Sequence, residues 1–186
     1  MHILAIVGSP RIDGNTNYLV DEALNEATKL GAATEKIIVS QYRLGPCLAH
    51  INCGELDSCA QQDDGSRILE KFCEADGVIL ATPVYYYDVS AWMKIFIDRN
   101  YFLFRHRKKC RAKAVGIIVV AGSVGIEDAV NTMNRFVNSS SFINIASDKR
   151  FIVTGYASDP GDVKSNPQLL RETREMGRQL VMSLKK

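Results

Sequence analysis

Residues 8–17 read Gly-Ser-Pro-Arg-Ile-Asp-Gly-Asn-Thr-Asn, and the chemistry those residue types offer is anion binding. Ser9, Asn15 and Thr16 bring hydroxyl and amide donors, Arg11 brings a charge, and Gly14 precedes the amides. Placed between a buried strand and the first turn of a helix, the segment would add outward-pointing backbone N–H groups and the positive end of the helix dipole. The Gly-Lys-Thr of a nucleoside triphosphatase and the GxGxxG of a dinucleotide fold are both absent, so the pattern is a phosphate cradle of another kind. A plain strand–helix turn would explain Gly8, Gly14 and a capping residue. It would not need Ser9 and Arg11 together with Asn15 and Thr16.

Two further stretches could meet a flat ligand. Thr82-Pro83-Val84-Tyr85-Tyr86-Tyr87 is an aromatic run able to stack on a conjugated ring. A packed loop covering the sheet edge explains it equally well. Ala121-Gly122-Ser123-Val124-Gly125 carries glycines that let backbone approach a ligand, or that simply turn the chain. Among the cysteines, Cys47, Cys53 and Cys59 fall within 13 residues, with His50 between the first two, while Cys73 and Cys110 read as ordinary cysteines. The other histidines, His2 and His106, suggest no Ser-His-Asp arrangement. Residues 105–113 are basic and read as a solvated connection rather than a seat for the extra phosphate of a nicotinamide dinucleotide.

The apolar pattern supplies the elements that must position these groups. Residues 3–7 are a continuous apolar run ending at Gly8, as in a strand buried on both faces. Asn15 or Thr16 can cap a helix to about Leu30, with Leu19, Ala23, Ala27 and Leu30 on one face and Gly31 as its stop. Residues 34–39 read as a second strand and 41–64 as irregular. A helix with Ile68, Leu69 and Phe72 follows, then a third strand at 77–81, stopped by Pro83. Ser90 opens a helix that includes Trp92, Ile95, Phe96 and Arg99. Residues 115–121 form the fourth strand, 125 to about 138 a helix, and the later half of 142–153 the fifth strand; Pro167 starts a last helix. This alternation predicts one domain over residues 1–186: an α/β three-layer sandwich with a five-stranded parallel sheet in the flavodoxin-like order 2-1-3-4-5. Ligands in such sheets bind at the carboxyl ends of the strands.

The chain has 186 residues, about one domain's length, and its 23 basic and 21 acidic residues leave a net charge of +2. That balance gives no general pull toward nucleic acid or membrane. Hydrophobic residues at 46% and charged residues at 24% exclude disorder, collagen and coiled coil as readings of the whole chain. No apolar run approaches the roughly 20 residues of a membrane span. The amino terminus lacks the basic start and longer apolar core of a signal peptide. The expected location is the cytoplasm, where an odd number of cysteines argues against a disulfide framework.

Gly8-Ser9-Pro10-Arg11 with Gly14-Asn15-Thr16 resembles the phosphate loop of the NADPH-dependent FMN reductase family. Pro83-Val84-Tyr85, followed by a helix that opens at Ser90 and ends in Ile97-Asp98-Arg99, is similar to the same family, as is the turn at 121–125. Three matching loops in order, each after an expected strand, span nearly the whole chain. The resemblance implies a flavodoxin-like domain holding FMN without a covalent bond. The phosphate would lie on Ser9, Arg11, Gly14, Asn15 and Thr16, and the ring among Pro83, Val84, Tyr85 and Tyr86 and the turn of Ala121, Gly122 and Gly125. It implies an oxidoreductase that takes electrons from NAD(P)H and passes them to a small-molecule or protein acceptor, with no catalytic side chain needed for the hydride step. A homodimer or homotetramer is the implied assembly.

The cysteine segment resembles the compact motif of the iron-sulfur flavoproteins, a branch of that family, in which Cys-x2-Cys-x2-Cys is followed by a fourth cysteine. Here His50 stands where the second cysteine would be. Three readings compete: a loop of free thiols without metal, a cluster on Cys47, His50, Cys53 and Cys59, or zinc on the same four. The first is adopted. A cluster would favour the alternative function, an electron-transfer flavoprotein reduced by a ferredoxin-type partner.

Overall fold

Successive residues of the first strand face two different cores. In β1 (His2–Val7), Leu4 and Ile6 join a cluster with Phe72, Phe96 and Met133, while Ile3, Ala5 and Val7 join one with Leu19, Ala23 and Leu180. Such period-two division is what a strand between two helical layers requires. The computed structural model describes residues 1–139 and 142–185. In chain order the remaining elements are α1 (Asn15–Lys29), β2 (Ala33–Ile38), α2 (Gly65–Glu74), β3 (Gly77–Tyr85), β4 (Asp88–Val89), α3 (Ala91–Arg99), α4 (Tyr101–Arg105), β5 (Ala114–Ala121), α5 (Ile126–Val137), β6 (Arg150–Tyr156) and α6 (Pro167–Leu184). Helices α1 and α6 cover one face; α2, α3 and α5 cover the other.

The sheet order is β2-β1-β3-β5-β6, with each of these pairings parallel. This is the expected 2-1-3-4-5 order with one addition. The two-residue strand β4 folds back antiparallel on the end of β3, so the sheet has six strands rather than five. Because α1 and α3 leave β1 and β3 on opposite faces, a crevice opens between the carboxyl ends of those two strands.

Three local expectations are corrected. Pro83 does not stop the third strand, which continues to Tyr85. The Ala81 carbonyl accepts from Gly8 N at 2.8 Å, so alternate groups of β3 face β1. Pro83 would aim its missing N–H to that same side, where β1 has already ended, so nothing is lost. Neither Asn15 nor Thr16 caps α1; the position before the helix is Gly14, with no side-chain cap. The fifth long strand begins at Arg150 and runs three residues past its expected end, to Tyr156. No described helix is long and apolar enough to cross a membrane.

Candidate functional site: a cleft at the carboxyl ends of β1, β3 and β5

The first turn of α1 presents free donors. The Tyr18 N–H is the first to bond within the helix, to Gly14 O, leaving those of Asn15, Thr16 and Asn17 without a described backbone acceptor. The loop before them is braced from within. Arg11 N donates to Ser9 Oγ at 3.3 Å, Gly14 N to Arg11 O at 3.1 Å, and the buried Asn17 amide to Arg11 O at 2.8 Å. Thr16 is buried as a residue but lines the cleft, its hydroxyl bonds no described residue, and the exposed Arg11 guanidinium has no carboxylate partner among them. Free N–H groups, a free hydroxyl and an unpaired cation on one spot fit a dianionic phosphate.

Ser90 joins this loop to the next. Fully buried, it caps α3 by accepting from Met93 N at 3.1 Å and donates its hydroxyl to Gly8 O at 2.6 Å, while its own N–H bonds Thr82 Oγ1 at 3.0 Å. Gly8 has no room for a side chain, since a Cβ would stand 2.6 Å from Met93 Cβ. The β3–β4 hairpin turns on Tyr86 and Tyr87, both at positive φ (52° and 72°). A two-residue turn of that kind favours Asn-Gly, and two tyrosines there are strained. Tyr86 is almost wholly exposed. Gly125 lies beneath the hairpin at φ 86°, and a Cβ on it would meet the Tyr87 backbone at 2.7 Å.

These loops enclose a cleft of about 300 Å³, at the small end of ligand pockets. Of the expected residues, Ser9, Arg11, Gly14, Asn15, Thr16, Pro83, Val84, Tyr85 and Gly122 line it. Tyr86, Ala121 and Gly125 do not. Tyr86 points to solvent, Ala121 is buried with its carbonyl bonded to Ala157 N, and Gly125 serves the hairpin. Sequence reasoning missed the segment after β6, where Ala157, Ser158 and Pro160 close the cleft. Asn15 holds that segment. Its amide donates to Asp159 O at 2.8 Å and accepts from Gly161 N at 2.8 Å, so this side chain is a latch rather than a free donor. The signal available was the Asp-Pro-Gly turn at 159–161, just after a strand.

The cysteine segment lies apart from the lining of this cleft, tied down by Arg99 at the end of α3. The buried guanidinium grips Asp63 with both nitrogens (2.5 and 2.9 Å) and also donates to Gly45 O and, at 3.4 Å, to Cys59 Sγ. Burial alone would raise the Asp63 carboxyl; the Arg99 hydrogen bonds and the Gly65 and Gly45 N–H groups outweigh it and hold it at about 2. His106 bridges from α4, its ring nitrogens 2.8 Å from Phe102 O and Leu56 O. Burial and the neighbouring Cys59 and Cys47 push the Cys53 thiol up. Among the described residues no three His, Cys, Asp or Glu side chains stand close enough to share a metal ion. His50 makes no side-chain bond to the three cysteines, and Cys59 is turned to Arg99. As arranged, the segment does not fit a cluster or a zinc ion.

A family model for the NADPH-dependent FMN reductases matches residues 1–154. The chain belongs to that family. An iron-sulfur flavoprotein of Methanocaldococcus jannaschii is 35% identical over 100% of this chain and 98% of its own. An iron-sulfur flavoprotein of Methanosarcina thermophila is 31% identical over 81% of this chain and 80% of its own. An FMN-dependent NADH-azoreductase from Bacillus anthracis, solved in complex with FMN, shares the fold with a TM-score of 0.71 at 15% identity, covering 97% of this chain and 100% of that one. As an FMN reductase family member, the chain is a flavin-dependent oxidoreductase with a flavodoxin-like sheet.

Proposed function

We propose that the cleft binds FMN and that NAD(P)H reduces it, the electrons then passing to a small-molecule or protein acceptor. The observation that carries this reading is convergence: the donor-rich first turn of α1 and the wall of Pro83, Val84 and Tyr85 share one cleft, although Thr16 and Pro83, their nearest lining residues, stand 67 positions apart in sequence. Arg11, the Thr16 hydroxyl and the free N–H groups of α1 would hold the phosphate. Pro83, Val84 and Val120 would keep water from one side of the ring, and Tyr85 would lie along it. Bound there, FMN supplies the acceptance of hydride and its onward release as electrons. Among the described residues no His, Cys, Asp or Glu lines the cleft, and the proposed hydride step needs no acid or base from the protein.

Two measurements test this. Arg11→Ala should weaken FMN binding by roughly 10- to 100-fold, the worth of a charge-assisted hydrogen bond, and Thr16→Ala should do so by a smaller factor. Stopped-flow mixing of the FMN-loaded protein with NADPH and with NADH should bleach the flavin band on a turnover timescale. If FMN does not bind, the reading fails at its base. If FMN binds and neither dinucleotide bleaches it while a reduced ferredoxin does, the electron-transfer function replaces it. The whole-length similarity to an iron-sulfur flavoprotein is what keeps that second function in view.

A further inference from the structure

At the opposite end of the sheet the end of α2 meets the basic connection before β5, and two thiols meet there. Cys73 Sγ and Cys110 Sγ are 2.7 Å apart, although 37 residues separate them in sequence. The backbones beside them are joined as well: Arg111 N donates to Cys73 O at 2.8 Å and Lys113 N to Asp76 O at 3.0 Å. Cys73 is buried, whereas Cys110 is half-buried. Cys110 lines a second cleft of about 580 Å³ with Met1, Asp76, Arg111, Lys113 and Leu184. Among the described residues that line it, Arg111 and Lys113 face a single carboxylate, that of Asp76, which Arg111 contacts at 3.1 Å. Lys108 is close enough to act on both sulfurs.

We propose that Cys73 and Cys110 form a redox-active dithiol that closes to a disulfide by exchange with a small anionic disulfide of the glutathione class, taken up in this second cleft. Cys110, the sulfur the cleft reaches, attacks one sulfur of the external disulfide as its thiolate. The external S–S bond breaks, one small thiolate leaves and takes up a proton, and Cys110 is left in a mixed disulfide. Cys73 then attacks the Cys110 sulfur, and the second small thiolate leaves and is protonated. Two protein thiols have lost two protons and two electrons, and the external disulfide has gained them as two thiols.

Three features suit the pair to this exchange. A disulfide bond is about 2.05 Å long, so the sulfurs close by well under 1 Å. The hydrogen bond from Cys110 lowers the Cys73 thiol against the effect of burial, with help from Lys108. The same bond, burial and the Cys73 charge push Cys110 up. The pair therefore gives up one proton readily and the second reluctantly. The charge of the singly deprotonated pair rests on Cys73, and the contact lets Cys110 pass its proton to Cys73 as it attacks. Third, the cations around the cleft favour carboxylates on the incoming disulfide.

The test uses the FMN-loaded protein, fully reduced and then exposed anaerobically to oxidised glutathione at neutral pH. Free thiols are alkylated and the digest is mapped by mass. Cys73 and Cys110 should appear in one linked peptide pair, with Cys47, Cys53 and Cys59 alkylated and the flavin spectrum unchanged. The unfolding midpoint should rise by about 10 °C, as expected for closing a loop of this length in a chain of this size, and dithiothreitol should reverse it. Cys73→Ser should stop at a glutathione adduct on Cys110. Cystamine, a cationic disulfide, should react at least about 10-fold more slowly than glutathione disulfide at low salt. Alkylation of both Cys73 and Cys110 after treatment, or linkage of either to another cysteine, would overturn the proposal. Equal rates for the two disulfides would remove the anionic ligand from it.

Discussion

Arg99 is 2% exposed, and the charge of its guanidinium is answered by two oxygens of Asp63. Two consequences follow at the scale of the residue. The carboxyl is held at about 2 in the folded chain, against an ordinary value near 3.8. A depressed carboxyl stabilises the fold fully above its unfolded value and loses that contribution as pH falls from about 4 through 2. Wild-type stability should therefore drop by on the order of 2 kcal/mol across that window from this group, and denaturant midpoints measured at pH steps in Asp63→Asn should lack that component. At neutral pH the same variant leaves Arg99 buried without a counter-charge, which should cost about 3–5 kcal/mol in urea unfolding. A cost under 1 kcal/mol would mean that the guanidinium finds other acceptors, Gly45 O among them.

At the scale of the element, Ser90 is the joint between two loops and a helix. It caps α3, holds the Gly8 carbonyl and is held in turn by Thr82. Ser90→Ala removes the cap and leaves the Gly8 carbonyl short of a donor, which should cost about 1–3 kcal/mol of stability. FMN affinity should fall with it, because Gly8 leads into the donor loop. An isothermal titration showing unchanged affinity in a folded Ser90→Ala protein would separate the cap from the cradle. This element also shows what a sequence can display. The Ser90 cap is legible because Ser before an apolar helical run is local chemistry. The tie from Ser90 to Gly8 spans 82 residues and has no local sign. The extension of β3 through Pro83 is hidden for a similar reason: proline is excluded from a strand only where its N–H is needed, and that depends on where β1 ends.

At the scale of the whole molecule, the alternation of apolar runs was enough to order the parallel strands and to place three loops at one end of the sheet. The long-range contacts carry no such local sign: Asn15 reaching residues 159–161 completes the cleft, while Arg99 reaching Asp63 and Cys73 reaching Cys110 join segments away from it. A surface property also belongs to this scale. The cysteine segment leaves Leu48 and Ile51 exposed, and α4 beside it exposes Tyr101 and Phe104, stacked at 5.9 Å. Exposed apolar groups gathered on adjoining segments mark contact surfaces. Light scattering should return a multiple of the 20.7 kDa chain mass, and Ile51→Asp with Leu48→Asp should lower it toward 20.7 kDa. A wild-type mass of 20.7 kDa at micromolar concentration would show that this surface does not pair copies of the chain.

The latch at Asn15 bears on how the protein comes to be made. The cleft's far wall at residues 157–160 is tied to a side chain 144 residues earlier. It also lies just outside the stretch that the family shares, residues 1–154. A chain emerging from the ribosome would display the cradle at the start of α1 long before its closing wall exists. Tight capture of a cofactor must then wait until residues 157–160 have been synthesised and β6 has docked, so uptake of FMN would report that this wall has arrived.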